Sequence, residues 1–229
     1  GDSGQSQGQS QPTPEGTKRE FQGPNSVFHI MAVFRRPMFF IVVLAGLSIV
    51  YTRSIFFSTL VDYAMDRGMS LDAASSILVY TSLTDFLGAM GLPLLADRKC
   101  LRRSTLVMFC YAMLGLCAIL YPIVTSVPRF VLVSLLLAMV AAKLMTMSTV
   151  IAADYLGVEK LPIFLAASGL VSVPLYFWNP RIVGFFIDML GSYDNLYRVI
   201  GGMNFFIALI FCGVLLWERM RRKGWTSMN

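Results

Sequence analysis

The chain has 229 residues, of which 56% are hydrophobic and 14% charged, and its formal net charge is +6. Soluble domains average about 45–50% apolar and about 25% charged residues, so this composition argues against a water-soluble core and indicates a bilayer as the solvent. The cations are spread over several polar segments and are not interleaved with aromatic residues. We therefore expect contact with anionic lipid headgroups and no nucleic-acid partner.

Residues 1–36 are built mainly from Gly, Ser, Gln, Pro and Thr, which supply too little apolar surface to offset the entropy of ordering the chain. We predict a disordered cytoplasmic linker here. The segment has neither an initiator Met nor the charged and then apolar pattern of a signal peptide. We therefore expect this chain to be the later part of a longer protein.

Six apolar stretches follow, each long enough for a helix that crosses about 30 Å of hydrocarbon. They lie at about 38–60, 74–95, 105–125, 130–155, 163–189 and 197–217. Alternating strands of about ten residues, the mark of a membrane barrel, are absent from the sequence. The sequence therefore predicts an all-α membrane protein with a six-helix transmembrane bundle over 37–218 and a basic cytoplasmic tail over 219–229.

The positions of the cations predict the orientation, because Lys and Arg are retained on the cytoplasmic side of a membrane. With the linker inside, the inner segments carry thirteen Lys and Arg residues and the outer segments carry three, at 67, 129 and 198. This bias predicts a multi-pass protein with both termini in the cytoplasm. The four cysteines, three in spans and Cys100 in an inner loop, give no disulfide pattern.

Four charged residues lie well inside the predicted spans: Arg53, Asp85, Lys143 and Arg181. Each costs about 2.5–3.5 kcal/mol at the centre of a span, so such residues usually face a cavity or a partner. They fall in the first, second, fourth and fifth spans, which predicts that four helices line a polar cavity and two face lipid. Their summed charge of +2 would attract an anion. The alternatives are an ion pair that only holds helices together, or an Arg53 that snorkels to the interface.

The fifth span is interrupted by Pro174 and Pro180, each of which removes a backbone hydrogen bond and bends a helix. Interrupted membrane helices are common beside transport sites. Asn179 and Arg181 flank the second proline, so we place both on a substrate pathway. A kink that only shapes the packing is the alternative.

The polar segment "GLPLLADRKCLRRS" joins the second and third spans and contains Asp97, Arg98, Arg102 and Arg103. It is similar to a degenerate copy of the G-x-x-x-D-R-x-G-R-R loop of major-facilitator proteins, with Pro93 in the glycine position. The resemblance implies that Asp97 charge-pairs with helix ends and that the loop stabilises one conformation. Alternatively, these cations only anchor the loop on the cytoplasmic side of the membrane, which explains them equally well.

Three further stretches extend the likeness: "TDFLGAMGLPLLADR", "YLGVEKLPIFLAASGLVSVP" and "NPRIVGFFIDMLGSYDNLY". Through them, residues 37–218 resemble helices seven to twelve, the C-terminal half of the monocarboxylate transporter family. The resemblance implies a plasma-membrane carrier of small organic anions that works by alternating access. It also implies two protein partners, the missing N-terminal six-helix half and a single-span accessory chaperone.

The resemblance also gives Asp85 a role, because proton-coupled members have an Asp at this position and an Arg four residues later. Here Ala89 stands in the place of that Arg. Proton coupling is therefore left open, and Arg53, Lys143 or Arg181 could supply the cation.

The sequence gives little support to an enzyme. The chain has one histidine, His29, and neither an H-E-x-x-H nor a G-x-S-x-G motif, so we expect no enzyme activity, no metal and no cofactor. Two alternatives with the same fold stay open. One is a membrane sensor or partner-binding protein that does not transport, and the other is a carrier of neutral or zwitterionic amino-acid-like substrates.

Overall fold

The computed structural model describes residues 35, 37–91 and 103–226. The predicted linker, except Arg35, lies outside the described residues, as do Asp97, Arg98 and Arg102 of the basic loop. Six long helices follow one another: α1 (Pro37–Asp66), α2 (Leu71–Gly91), α3 (Arg103–Leu120), α4 (Val127–Leu156), α5 (Leu161–Leu190) and α6 (Asp194–Thr226). The basic segment predicted as a tail continues α6 as far as Thr226.

Five of the described helices are long and apolar enough to cross a membrane, namely α1, α3, α4, the α5 segment and α6. The remaining predicted span, 74–95, corresponds to α2, which is less apolar because it carries Asp72, Asp85 and five Ser and Thr residues. Its predicted last four residues lie outside the described part of the chain. The prediction of an all-α membrane protein is confirmed, with five or six spanning helices.

Helix α1 lies at the centre of the bundle and contacts α2, α4, α5 and α6. Its buried residues include positions 42, 45, 49, 52, 56, 59 and 63, which recur every three or four residues and so form one face of the helix. Helix α5 is the least buried of the spanning helices. It continues through Pro174 and Pro180 and ends at Leu190. The next residue is Gly191, whose positive φ of 67° suits a residue without a side chain.

Glycines allow two close helix crossings. A Cβ on Gly201 of α6 would lie 2.5 Å from a side-chain carbon of Ile119 on α3, and one on Gly115 would lie 2.9 Å from Phe205. A Cβ on Gly88 of α2 would lie 2.7 Å from the carbonyl oxygen of Met139 on α4. Small residues let membrane helices approach closely, so α3 with α6 and α2 with α4 form tightly packed pairs. From the sequence, the third and sixth spans were expected to face lipid. These two spans are α3 and α6, and the close crossing gives each of them a face that packs inside the bundle.

Arg67 joins three segments at the end of the bundle that holds connections 67–70, 121–126 and 191–193. Its guanidinium donates to the carbonyl oxygens of Val124 (2.8 Å) and Pro122 (2.9 Å), to the Tyr63 hydroxyl (2.6 Å) and to Asp194 (3.1 Å). Tyr63 also donates to the Asp194 carboxylate. This cluster, which we call the Arg67 hub, fastens α1 to the α3–α4 connection and to the start of α6.

The opposite end of the bundle has a second polar contact. Arg103 of α3 forms an ion pair with Asp154 of α4, in which Nη1 donates to both carboxylate oxygens at 2.8 and 3.0 Å. Tyr155 shares a hydrogen bond with Ser104 and donates to Glu218 of α6. Arg103, which the sequence placed in a conformational loop, is therefore paired with a helix end.

Candidate functional site

Arg53 and Asp85 face each other between α1 and α2. Arg53 comes near the middle of the 30-residue helix α1, and its guanidinium donates to both carboxylate oxygens of Asp85, with Nη2 3.0 Å from Oδ2. The two side chains are 25% and 22% exposed. The Arg53 guanidinium also lies over the Phe57 ring, 5.3 Å from its centroid. Two predicted site residues thus form one bidentate ion pair at mid-bundle depth.

Asn179 joins this region from α5. Its side chain is 8% exposed, and its Nδ2 donates a hydrogen bond of 3.2 Å to the Ser54 hydroxyl oxygen. Its Oδ1 is buried and has no hydrogen-bond partner within the described part of the chain. Because a buried acceptor without a partner is costly, this atom suits a water or ligand that donates a hydrogen.

A cavity of about 230 Å³ opens beside the ion pair, and we call it the ion-pair cavity. Its lining comes from α1, α4 and α5 and comprises Val50, Arg53, Ser54, Phe57, Met145 and Tyr176. Phe57 and Tyr176 were not among the site residues predicted from the sequence. Helical spacing could have found both, since Phe57 follows Arg53 by one turn and Tyr176 precedes Asn179 by one turn.

Lys143 and Arg181 occupy different surroundings. Lys143 is 1% exposed, so it lies in the packed interior of the bundle. Arg181 is exposed, and because it follows Asn179 by two residues it projects from α5 about 200° away. Neither lines the ion-pair cavity. Among the described residues, the charges that line or pair at this cavity are therefore Arg53 and Asp85, which sum to zero.

The fold and this site define an integral, multi-pass membrane protein with a charged cleft inside an apolar bundle. The chain is similar to monocarboxylate transporter 12 of mouse, at 26% identity over 186 residues. The matches to the human protein, at 26% over 186 residues, and the Xenopus laevis protein, at 25% over 183 residues, are comparable. No protein-family model matches the chain.

These matches cover 80% of this chain for the mouse and human proteins and 79% for the frog protein. The chain spans only 38%, 36% and 39% of the length of those relatives. The predicted likeness to monocarboxylate transporters, which are major-facilitator proteins, is confirmed. Each relative is named as a transporter rather than an enzyme, as the sequence analysis expects.

Proposed function

We propose that the protein is a secondary active or facilitative carrier that moves monocarboxylate-like organic anions across a membrane by alternating access. The observation that carries this proposal is the Arg53–Asp85 pair beside an open cavity at mid-bundle depth. A pair of charges is expensive inside a membrane and is retained there mainly where it serves a pathway. The names of the relatives support the same function.

The second wall of this cavity comes from the part of the carrier that this chain does not contain. The cavity is bounded by three helices on one side, and the chain spans about two fifths of the relatives it matches. We place the missing six-helix half against the open side. We also propose that the carrier lies in the plasma membrane, that both its termini are cytoplasmic and that it binds a single-span accessory chaperone. Epitope tags at each terminus, detected after selective permeabilisation of the membrane, test the orientation.

In this proposal, Arg53 binds the substrate carboxylate. It already holds both oxygens of Asp85, so the substrate must compete with that carboxylate. A proton on Asp85 removes its negative charge and frees the guanidinium. Proton and anion would then enter together, so uptake that stays the same between external pH 8 and pH 5.5 would rule out proton coupling.

The test is uptake of a panel of labelled small carboxylates by the full-length protein in transfected cells. We expect Arg53→Gln and Asp85→Asn each to reduce uptake at least tenfold. Arg129→Gln and Asp72→Asn are matched controls, because both residues are exposed and lie at helix starts away from the cavity. Binding without accumulation would overturn carrier function and favour a sensor.

One observation favours a second candidate function. The ion pair is neutral as a unit, and Asn179 adds an unpartnered buried acceptor within the described residues. A zwitterion could place its carboxylate at Arg53 and its cationic group at Asp85 or Asn179. Comparing a carboxylate with the α-amino acid of the same carbon skeleton distinguishes the two, since preference for the amino acid would favour a zwitterion carrier.

A further inference from the structure

A second cavity continues the first along the bundle. It has about 240 Å³ and shares Val50, Met145 and Tyr176 with the ion-pair cavity. Its other lining residues include Ser148, Thr149, Ser168, Gly169 and Ser172, so we call it the hydroxyl cavity. The two cavities form one groove between α1, α4 and α5.

The sequence spacing explains why the groove is continuous. On α1 its lining residues include Gly46, Val50, Ser54 and Phe57, which are separated by three or four positions and so share one face. At 1.5 Å per residue, this face extends over about 16 Å. On α5 the lining residues 165, 168, 172 and 176 follow the same spacing.

The hydroxyl cavity has a different chemistry from the ion-pair cavity, since none of its described lining residues is charged. Three of its hydroxyls, at 148, 149 and 172, donate to carbonyl oxygens of their own helices and keep their lone pairs as acceptors. Ser168 Oγ is buried and has no hydrogen-bond partner in the described part of the chain. The cavity therefore offers weak polar contacts to an uncharged group.

We propose that the hydroxyl cavity is a subsite for the uncharged body of the substrate, so that the carrier accepts carboxylates with a hydroxylated body of several carbons. This inference rests on the proposed function, because it assumes that Arg53 holds the carboxylate. Gly169 determines the length of body that fits. It lines the cavity, and a Cβ there meets nothing within 4 Å, so a larger residue can fill the space without a clash.

The test uses Gly169→Leu in the full-length protein. Unlabelled three-carbon and six-carbon hydroxycarboxylates compete with uptake of the labelled three-carbon compound. We expect the variant to raise the half-inhibitory concentration of the six-carbon compound about tenfold and to leave that of the three-carbon compound unchanged. Gly202→Leu is the matched control, because Gly202 is also open and helical but lies on α6 outside the groove.

Thermal stabilisation of the purified protein by the same two compounds separates this inference from the proposed function. Uptake without any change of preference in Gly169→Leu would overturn the subsite alone. A second outcome is a protein that shows no uptake and is still stabilised by the six-carbon compound. If Gly169→Leu abolishes that stabilisation, the result would support the subsite and overturn transport. A lack of both uptake and stabilisation would overturn both.

Discussion

The Arg67 hub should contribute far more to stability than the Arg103–Asp154 ion pair at the opposite end of the bundle. Arg67→Ala removes a guanidinium that binds two backbone carbonyls, a tyrosine hydroxyl and a carboxylate. Truncating one member of a buried pair costs about 3–5 kcal/mol. The Arg67 and Asp194 side chains are 17% and 33% exposed, so we take the lower limit, about 3 kcal/mol.

Arg103→Ala is the matched control, because its guanidinium also pairs with one aspartate, Asp154. Its pair is 57% and 41% exposed, and pairs of this kind contribute about 0.2–1 kcal/mol. The expected difference between the variants is therefore about 2–3 kcal/mol, a factor of roughly thirty to more than a hundred in the unfolding equilibrium.

The assay is denaturant unfolding of the purified full-length protein in detergent micelles, followed by tryptophan fluorescence. Arg67→Lys should recover only part of the loss, since an ammonium cannot reproduce the planar fork of a guanidinium. Equal effects of Arg67→Ala and Arg103→Ala would refute the reasoning, because burial would then not decide the strength of these contacts.

Three further outcomes are expected. Gly201→Leu should destabilise the protein by several kcal/mol, because its Cβ would lie 2.5 Å from an atom of α3, whereas Gly202→Leu should be tolerated in the same unfolding assay. Asn204→Ala should cost about 1–3 kcal/mol in thermal unfolding, because Asn204 is fully buried and hydrogen-bonded to Thr52. Burial and two nearby carboxylates raise the pKa of Tyr193 above 10.0, so its stabilising contribution should be complete below pH 10 and lost as pH rises through the raised pKa. Tyr193→Phe should remove that part of the alkaline loss in unfolding measurements between pH 9 and 12.

The helices and two residues of the candidate site could be predicted from the sequence because both depend on local composition. Long apolar stretches predict spans, and the cost of charge in a bilayer selects Arg53 and Asp85. Which cation meets Asp85 depends on how each helix is rotated in the bundle. That rotation places Lys143 in the interior and Arg181 on an exposed face. It cannot be predicted from the composition of each helix.

The Arg67 hub could not be predicted for a different reason. Its partners come from positions 63, 122, 124 and 194, which are far apart in the chain and meet only once three helices have packed. From the sequence, Arg67 was therefore predicted only as a cation of an outer loop. Asn204 was missed because a single amide in an apolar span has no distinguishing local pattern.

The position of the cation opposite Asp85 leads to a last prediction. By resemblance, the family's arginine follows this acid by four residues on the same helix, and Ala89 now occupies that place. Here the cation comes from α1, so the pair links two helices. A pair within one helix moves as a unit, whereas a pair between helices breaks when they separate.

Transferring the cation tests which property matters. Arg53→Ala with Ala89→Arg would rebuild the charge pair within α2, since residues four apart are neighbours on a helix, but it would abolish the link between α1 and α2. We expect this double variant to regain less than a tenth of wild-type carboxylate uptake while expressing at the wild-type level, because the proposed substrate site needs the guanidinium on α1, where Arg53 lines the cavity, and none of the described residues of α2 lines it. Full recovery of uptake would show that the charge pair alone suffices, and the link between the helices would then have no part in transport.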